Sequence, residues 1–242
     1  IINEISPASG PASQYITIMG ANFGTSQGRV IFDAGGANVD GDFSFPEVCS
    51  DNYWRNDRII VKVPDDPALP PVNTYPIRVI RNGDSAQSND YNFEVSGGTP
   101  GPQVCDMSPD NGPIGTAVNL FGENFGSAIG DVVFYNGVSI STPPSIWNDN
   151  QIIGAQVPVG AQTGLVRVED AVGSPSNNLA FSVGSCSDDA YCNSIYGPGF
   201  ICCPGSSGNS CVNSPSCDTA NSCEYTWDIN TETDQLQVVE YQ

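Results

Sequence analysis

The chain is expected to be all-β, two tandem β-sandwiches plus a small disulfide-rich C-terminal module, on three observations. A set of turn and strand landmarks is written twice; Gly and Pro are abundant between short β-branched runs; and seven of nine cysteines crowd into Cys186 to Cys223. Ile5-Ser6-Pro7 through Gly10-Pro11 recurs as Met107-Ser108-Pro109 through Gly112-Pro113, and Gly20-Ala21-Asn22-Phe23-Gly24 recurs as Gly122-Glu123-Asn124-Phe125-Gly126, at a constant spacing of 102 residues. Self-similarity on that scale means repeated domains, each long enough to bury a core of its own.

The first repeat spans residues 1–95. Ile16-Thr17-Ile18 alternates as a half-buried strand should, and Val30-Ile31-Phe32 is the next strand. An insertion from about Ala34 to Tyr53 carries Cys49 and lacks a full counterpart. Register resumes at Trp54, which matches Trp147, then at Val63-Pro64 and Val157-Pro158, Ile77-Arg78-Val79 and Val166-Arg167-Val168, and Phe93 and Phe181. Residues 96–103 form a Gly/Pro linker, loose at its glycines and stiffened by Pro100 and Pro102. The second repeat occupies 104–184 and contains Cys105; residues 185–242 are the disulfide-rich module with a terminal strand. Six or seven short strands per copy, spaced by turns, suit a sandwich of antiparallel sheets.

The ordered series Ile-Ser-Pro, Gly-Pro, apolar strand, Gly-x-Asn-Phe-Gly, Gly-x-Val-x-Phe, Val-Pro and Phe-x-Val resembles the IPT/TIG domain, twice over, across about three quarters of the chain. The resemblance implies an immunoglobulin-like sandwich. Such domains occur in plexin-type receptors, Rel-type transcription factors, cyclodextrin glycosyltransferases and bacterial surface proteins, so fold follows from it and mechanism does not.

Charge and composition narrow the function. At −20, with one lysine and six arginines, the chain repels phosphate, which argues against nucleic acid and anionic membrane as partners. Histidine is absent, which removes Ser-His-Asp and Cys-His nucleophiles and any His-ligated metal. No apolar run approaches the length of a bilayer span. Residue 1 is Ile, read as the start of a mature or excised segment, and the cysteine content points to an oxidising, extracellular or cell-surface location.

Individual motifs read mainly as structure. The glycines flanking Asn22-Phe23 and Asn124-Phe125 are expected to permit backbone with φ > 0 while each phenylalanine turns inward; a phosphate-cradling loop would need a following helix and nearby cations. Equivalent placement of Trp54 and Trp147 favours packing over sugar stacking. Asp65-Asp66, Asp188-Asp189 and the run Asp228 to Asp234 offer oxygen ligands, but the last lacks the glycine and the final acid of a calcium loop, so no cofactor or metal is expected. No two carboxylates are singled out for glycoside hydrolysis. Lys62 raises the idea of a crosslink to an asparagine or aspartate inside the sandwich, as in some surface adhesins.

Disulfide candidates are Cys49, Cys105, Cys186, Cys192, Cys202, Cys203, Cys211, Cys217 and Cys223. Nine is odd, so one cysteine is left free, bonded elsewhere or deprived of its partner. Adjacent Cys202 and Cys203 need separate partners, and the stretch from Cys186 to Cys223 is expected to be held by three or more disulfides and to dock on the second repeat. The terminal run Leu236, Gln237, Val238, Val239, Glu240 and Tyr241 has strand chemistry with little core to receive it. It either donates itself to a neighbouring copy, giving end-to-end self-association, or forms a hairpin with Tyr225-Thr226-Trp227.

These readings converge on a non-catalytic extracellular structural or adhesive protein, a rigid stalk or filament subunit, whose partners are itself or other surface proteins and glycans. The alternatives are a carbohydrate-binding accessory segment of a secreted enzyme and a receptor ectodomain; the absence of any Asn-x-Ser/Thr acceptor leans against the latter.

Overall fold

The computed structural model describes residues 1–184 and the backbone of strands at 200–203, 210–213, 226–230 and 235–239. Residues 1–183 form one compact unit and residues 184–242 a second.

In the first unit the sequence repeat becomes a repeat of topology. The N-terminal half contains β1 (Ile2–Ser6), β2 (Ser9–Gly10), β3 (Tyr15–Gly20), β4 (Arg29–Asp33), β5 (Asn38–Asp40), β6 (Arg58–Lys62), β7 (Asn73–Ile80) and β8 (Tyr91–Val95). The second half contains β9 (Gln103–Ser108), β10 (Asn111–Gly112), β11 (Ala117–Glu123), β12 (Asp131–Phe134), β13 (Val138–Ser139), β14 (Ile146–Asn148), β15 (Gln151–Gln156), β16 (Gly164–Glu169) and β17 (Leu179–Val183). Sheet orders are β1-β3-β6 with β2-β8-β7-β4-β5 in the first half, and β14-β15-β11-β9 with β10-β17-β16-β12-β13 in the second. Removing β14 leaves the same order twice, and even β14 has a trace in the first half, where Trp54 bridges Ile59 as Trp147 pairs Ile152. Pairings are antiparallel except the short β2–β8 and β10–β17 contacts.

Each half fills its core from the landmarks. Phe32 meets Phe93 edge-on at 6.2 Å, and Phe134 meets Phe181 likewise at 5.5 Å. Phe23 and Phe125 are both buried; their amides donate to Asn56 O and Asp149 O, and their carbonyls accept from the indoles of Trp54 and Trp147. The tryptophans thus close the turn, which is a packing role.

The glycine turn works differently from expectation. Gly24 and Gly126 do sit at φ 80° and 76°, but the other positive angles fall on Asn22 and Asn124, at 64° and 62°. Gly20 and Gly122 instead allow close approach: a Cβ at Gly122 would lie 1.8 Å from Gln103 O and 2.8 Å from the Phe125 ring, and one at Gly20 1.9 Å from Ile1 O. The insertion is also shorter than expected, because Asn38–Asp40 has a counterpart in β13.

In the second unit, β18 (Phe200–Cys203) pairs with β19 (Ser210–Asn213), setting Cys202 across from Cys211 in register. β20 (Thr226–Asn230) pairs with β21 (Gln235–Val239) as an antiparallel hairpin. Leu236 to Val239 of the expected self-association strand therefore have a partner within the chain, while Glu240 and Tyr241 lie outside the described residues.

Gly122→Ala should destabilise the unit by about 3 kcal/mol, since backbone must move to admit the methyl. Gly97→Ala, with nothing within 4 Å of its added Cβ, should be neutral. Denaturant midpoints of the two variants check this pair.

Candidate functional site

The most constructed feature of the described residues is the seam between the two halves, and it starts from a strand that breaks its pattern. In β3, Tyr15, Ile16, Thr17 and Ile18 are all buried, although a strand with one wet face would alternate. Ile16 and Ile18 fill the first core; Tyr15, with Ile60 from β6, belongs to the apolar cluster of the second half. The half-buried strand expected from Ile16-Thr17-Ile18 is thus corrected, because the second half covers its outer face.

Polar groups on that face are matched across the seam. The Tyr15 amide donates to Gln103 Oε1 at 2.6 Å and its hydroxyl donates to the Glu123 carboxylate. Burial, then the bond to Glu123 and the negative charge of Glu123 and Asp42, push the Tyr15 hydroxyl well above the ordinary tyrosine range. Gln14 Oε1 accepts from the Gly101 amide at 3.1 Å, which ties down the end of the linker. Asn177, fully buried, brackets Val104 by accepting from its amide and donating to its carbonyl, both at 2.8 Å, and also donates to Thr17 Oγ1 at 2.8 Å. Arg55 crosses to Asp110 at 2.8 Å. That pairing holds the Asp110 carboxyl below the usual range.

The insertion supplies the covalent part. Cys49 is bonded to Cys105 of β9. Beside it Tyr53 lies between Phe43 (5.5 Å) and Phe45 (5.3 Å), Phe45 meets the Tyr15 edge at 5.1 Å, and Lys62 Nζ stands 5.3 Å and 5.8 Å from the Tyr15 and Phe45 ring centres. Lys62 is placed for a cation–π contact. The second half has no such equipment: the register positions of Tyr15 and Lys62 are taken by Ala117 and Gln156, both exposed.

Of the disulfide candidates, Cys49 and Cys105 are brought together; the other seven lie outside the described side chains, and seven leaves the odd cysteine among them. The acidic run Asp228 to Asp234 and Asp188-Asp189 also fall outside. Among the described residues no group of three or more His, Cys, Asp or Glu is placed to hold a metal ion, and no helix is long and apolar enough to cross a membrane.

Tyr15, Gln103 and Asn177 escaped the sequence reading. A signal for Asn177 was present: Ser88-Asn89 and Ser176-Asn177 repeat, and Asn89 brackets Ile2 of β1 as Asn177 brackets Val104 of β9. Only the second asparagine also reaches across the seam.

Comparison with known families addresses the first half directly. Residues 1–95 match the IPT/TIG domain. The landmarks and strand order of residues 1–95 recur in the second half. No curated protein matches the chain. Solved structures that resemble it include a surface glycan-binding protein from a xyloglucan utilization locus of Bacteroides uniformis, at 17% identity over 75% of this chain and 48% of that one, TM-score 0.26. A gamma-cyclodextrin glycosyltransferase from alkalophilic Bacillus clarkii matches at 16%, over 75% and 25%, TM-score 0.31. The BSP domain of a biofilm associated protein matches at 12%, over 75% and 29%, TM-score 0.34. The chain spans a quarter to a half of the length of these proteins.

Because Tyr15 stays neutral in the fold but ionises near pH 10 when the chain unfolds, its contribution to stability is complete below about pH 10 and is lost as pH rises above it. Denaturant midpoints should therefore fall between pH 9 and 11 more steeply for the parent than for Tyr15→Phe. At pH 8 the variant should be about 2 kcal/mol less stable, having lost a hydrogen bond to a charged acceptor. If absorbance at 295 nm shows all nine tyrosines ionising near pH 10 in the folded protein, Tyr15 is not sealed in the seam.

Proposed function

We propose that this chain is a non-catalytic extracellular structural module, in which two immunoglobulin-like halves are locked into one rigid segment of a surface stalk or adhesive protein. The observation that carries the reading is the Cys49–Cys105 bond, which ties an insertion of one half to the first strand of the other over a buried aromatic joint. A flexible receptor or a hinge-type binding protein has no use for such a crosslink, whereas a load-bearing or protease-exposed spacer does. The net charge of −20 and the lack of histidine are consistent with a soluble spacer that performs no His-dependent chemistry. A stalk is favoured over a strand-exchanged filament because β21 is already paired with β20.

The second reading, a carbohydrate-binding accessory segment, has one observation in its favour: an open groove of about 430 Å³ lined by Phe43, Phe45, Tyr53, Glu47 and Asp51. Sugars stack on ring faces. Here Phe43 and Phe45 lie against Tyr53, Phe43 also meets Trp54, and Phe45 meets Tyr15 and Lys62, so these rings are already engaged in the joint. Saturable binding of a neutral glycan, abolished by Tyr53→Ala with the fold intact, would establish this reading over the first.

The rigid-segment reading is tested with the double substitution Cys49→Ser, Cys105→Ser in the full chain. Loss of a crosslink at a sequence separation of 56 should cost about 4 kcal/mol by chain entropy. Under native conditions, proteolysis should begin within 96–101, and backbone relaxation should show the two halves tumbling independently. If the halves still tumble as one body and resist protease as the parent does, the bond is incidental and the locked-spacer reading fails.

A further inference from the structure

A second feature of the seam concerns two neighbouring arginines, Arg55 and Arg58. Arg55 and Arg58 line a cleft of about 210 Å³ together with Asp57 from their own half and Asp110, Asn111, Ala180 and Ser182 from the other. Two of the chain's seven cations thus converge at one point of a protein carrying −20. Arg58 is only 7% exposed, and one of its Nη atoms donates to Asn52 O at 3.0 Å, but its Nε–H is buried with no hydrogen-bond acceptor. A buried donor left unmade is costly and rare in native folds. Burial, followed by repulsion from Arg55, pushes the Arg58 guanidinium down to about 10, against the pull of Asp106, Asp110 and Asp57.

The acidic groups present leave this donor unanswered. The Asp110 carboxylate already accepts from Arg55 at 2.8 Å and from Asn111 at 3.0 Å, and Asp57 is solvent-exposed. Arg55 already gives its Nε–H to Asn52 Oδ1 at 2.8 Å and one Nη to Asp110, so an acceptor entering the cleft would meet the remaining Nη groups of the two planar guanidiniums, a geometry that the two oxygens of a carboxylate match. At about 210 Å³ it lies below the usual range of drug-sized pockets, so the occupant is a single small group.

We propose that the Arg55–Arg58 cleft is a binding site for a small carboxylate, which accepts hydrogen bonds from both guanidinium groups and bridges the two halves. The site goes beyond the spacer role and stands or falls separately from it.

The test uses the full chain labelled with 15N, whose six arginines give six Nε–H signals, with Arg55→Lys and Arg58→Lys used for assignment. Sodium acetate and sodium glucuronate are titrated against glucose and against sodium chloride at matched ionic strength. The expected result is a saturable shift of the Arg55 and Arg58 signals with acetate or glucuronate, none with glucose, and at least a tenfold weaker response to chloride. Saturation by glucuronate alone would identify a sugar acid, and saturation by both would identify the carboxylate itself. No saturable shift with either carboxylate, parallel drift of all six signals, or equal response to chloride would overturn the proposal. Should Arg58→Lys not fold, Asn111→Trp, whose side chain would fill the exposed mouth of the cleft, must abolish the shift if the site is real.

Discussion

Burial of the outer face of the β1-β3-β6 sheet is the constraint on which the first unit depends. A three-stranded sheet with one face in its own core would ordinarily leave the other wet, and Tyr15, Thr17, Arg58 and Ile60 would then be solvated side chains. Covering that face with β9 and the Asn177 turn commits Tyr15 to Gln103 and Glu123, Thr17 to Asn177, and one Nη of Arg58 to Asn52, and leaves the Arg58 Nε–H without an acceptor. Desolvating such groups is tolerable only when partners meet them in fixed geometry. The seam is accordingly specific as well as adhesive, because a small rotation of one half would break several of these bonds together.

The insertion solves a problem that the strands alone leave open. The Tyr15 ring also meets Phe45, which is itself held by Tyr53 and, through the Cys49 loop, tied to β9. Crosslink and aromatic packing support each other: the bond limits where the loop can go, and the stacked rings give the loop a single low-energy position. Lys62, the only lysine, sits over two of the rings, where its charge is met by their quadrupoles.

Much of the fold was legible because the chain states it twice. Landmark order, the tryptophan pair, the facing phenylalanines and the inward Phe23 and Phe125 follow from local chemistry that recurs, and recurrence separates signal from accident. The seam occurs once, and its residues look ordinary in isolation: Tyr15 before an alternating strand reads as solvent-facing, and Arg55 to Asp110 is a pair across 55 positions with no local periodicity to reveal it. Gly20 and Gly122 were read as conformational glycines because sequence cannot separate a positive φ from a close backbone approach; both leave glycine as the only residue that fits. The bracketing asparagines were readable in principle, since Ser-Asn recurs before the last strand of each half.

Asymmetry between the copies shows what repetition does not require. Asn89 and Asn177 perform the same local task, closing the first strand of each half by pairing with its amide and carbonyl, so that a strand edge is met within the chain. That device belongs to the domain. Tyr15, Lys62 and the Cys49 loop belong to the joint, and the second copy carries Ala117 and Gln156 in the same register with neither ring nor charge to offer. The joint therefore cannot be rebuilt on the corresponding face of the second half with the residues present there. Two domains of one topology have been given different outer faces, and the direction of assembly, first half receiving the second, is written in a few side chains that leave both cores unchanged.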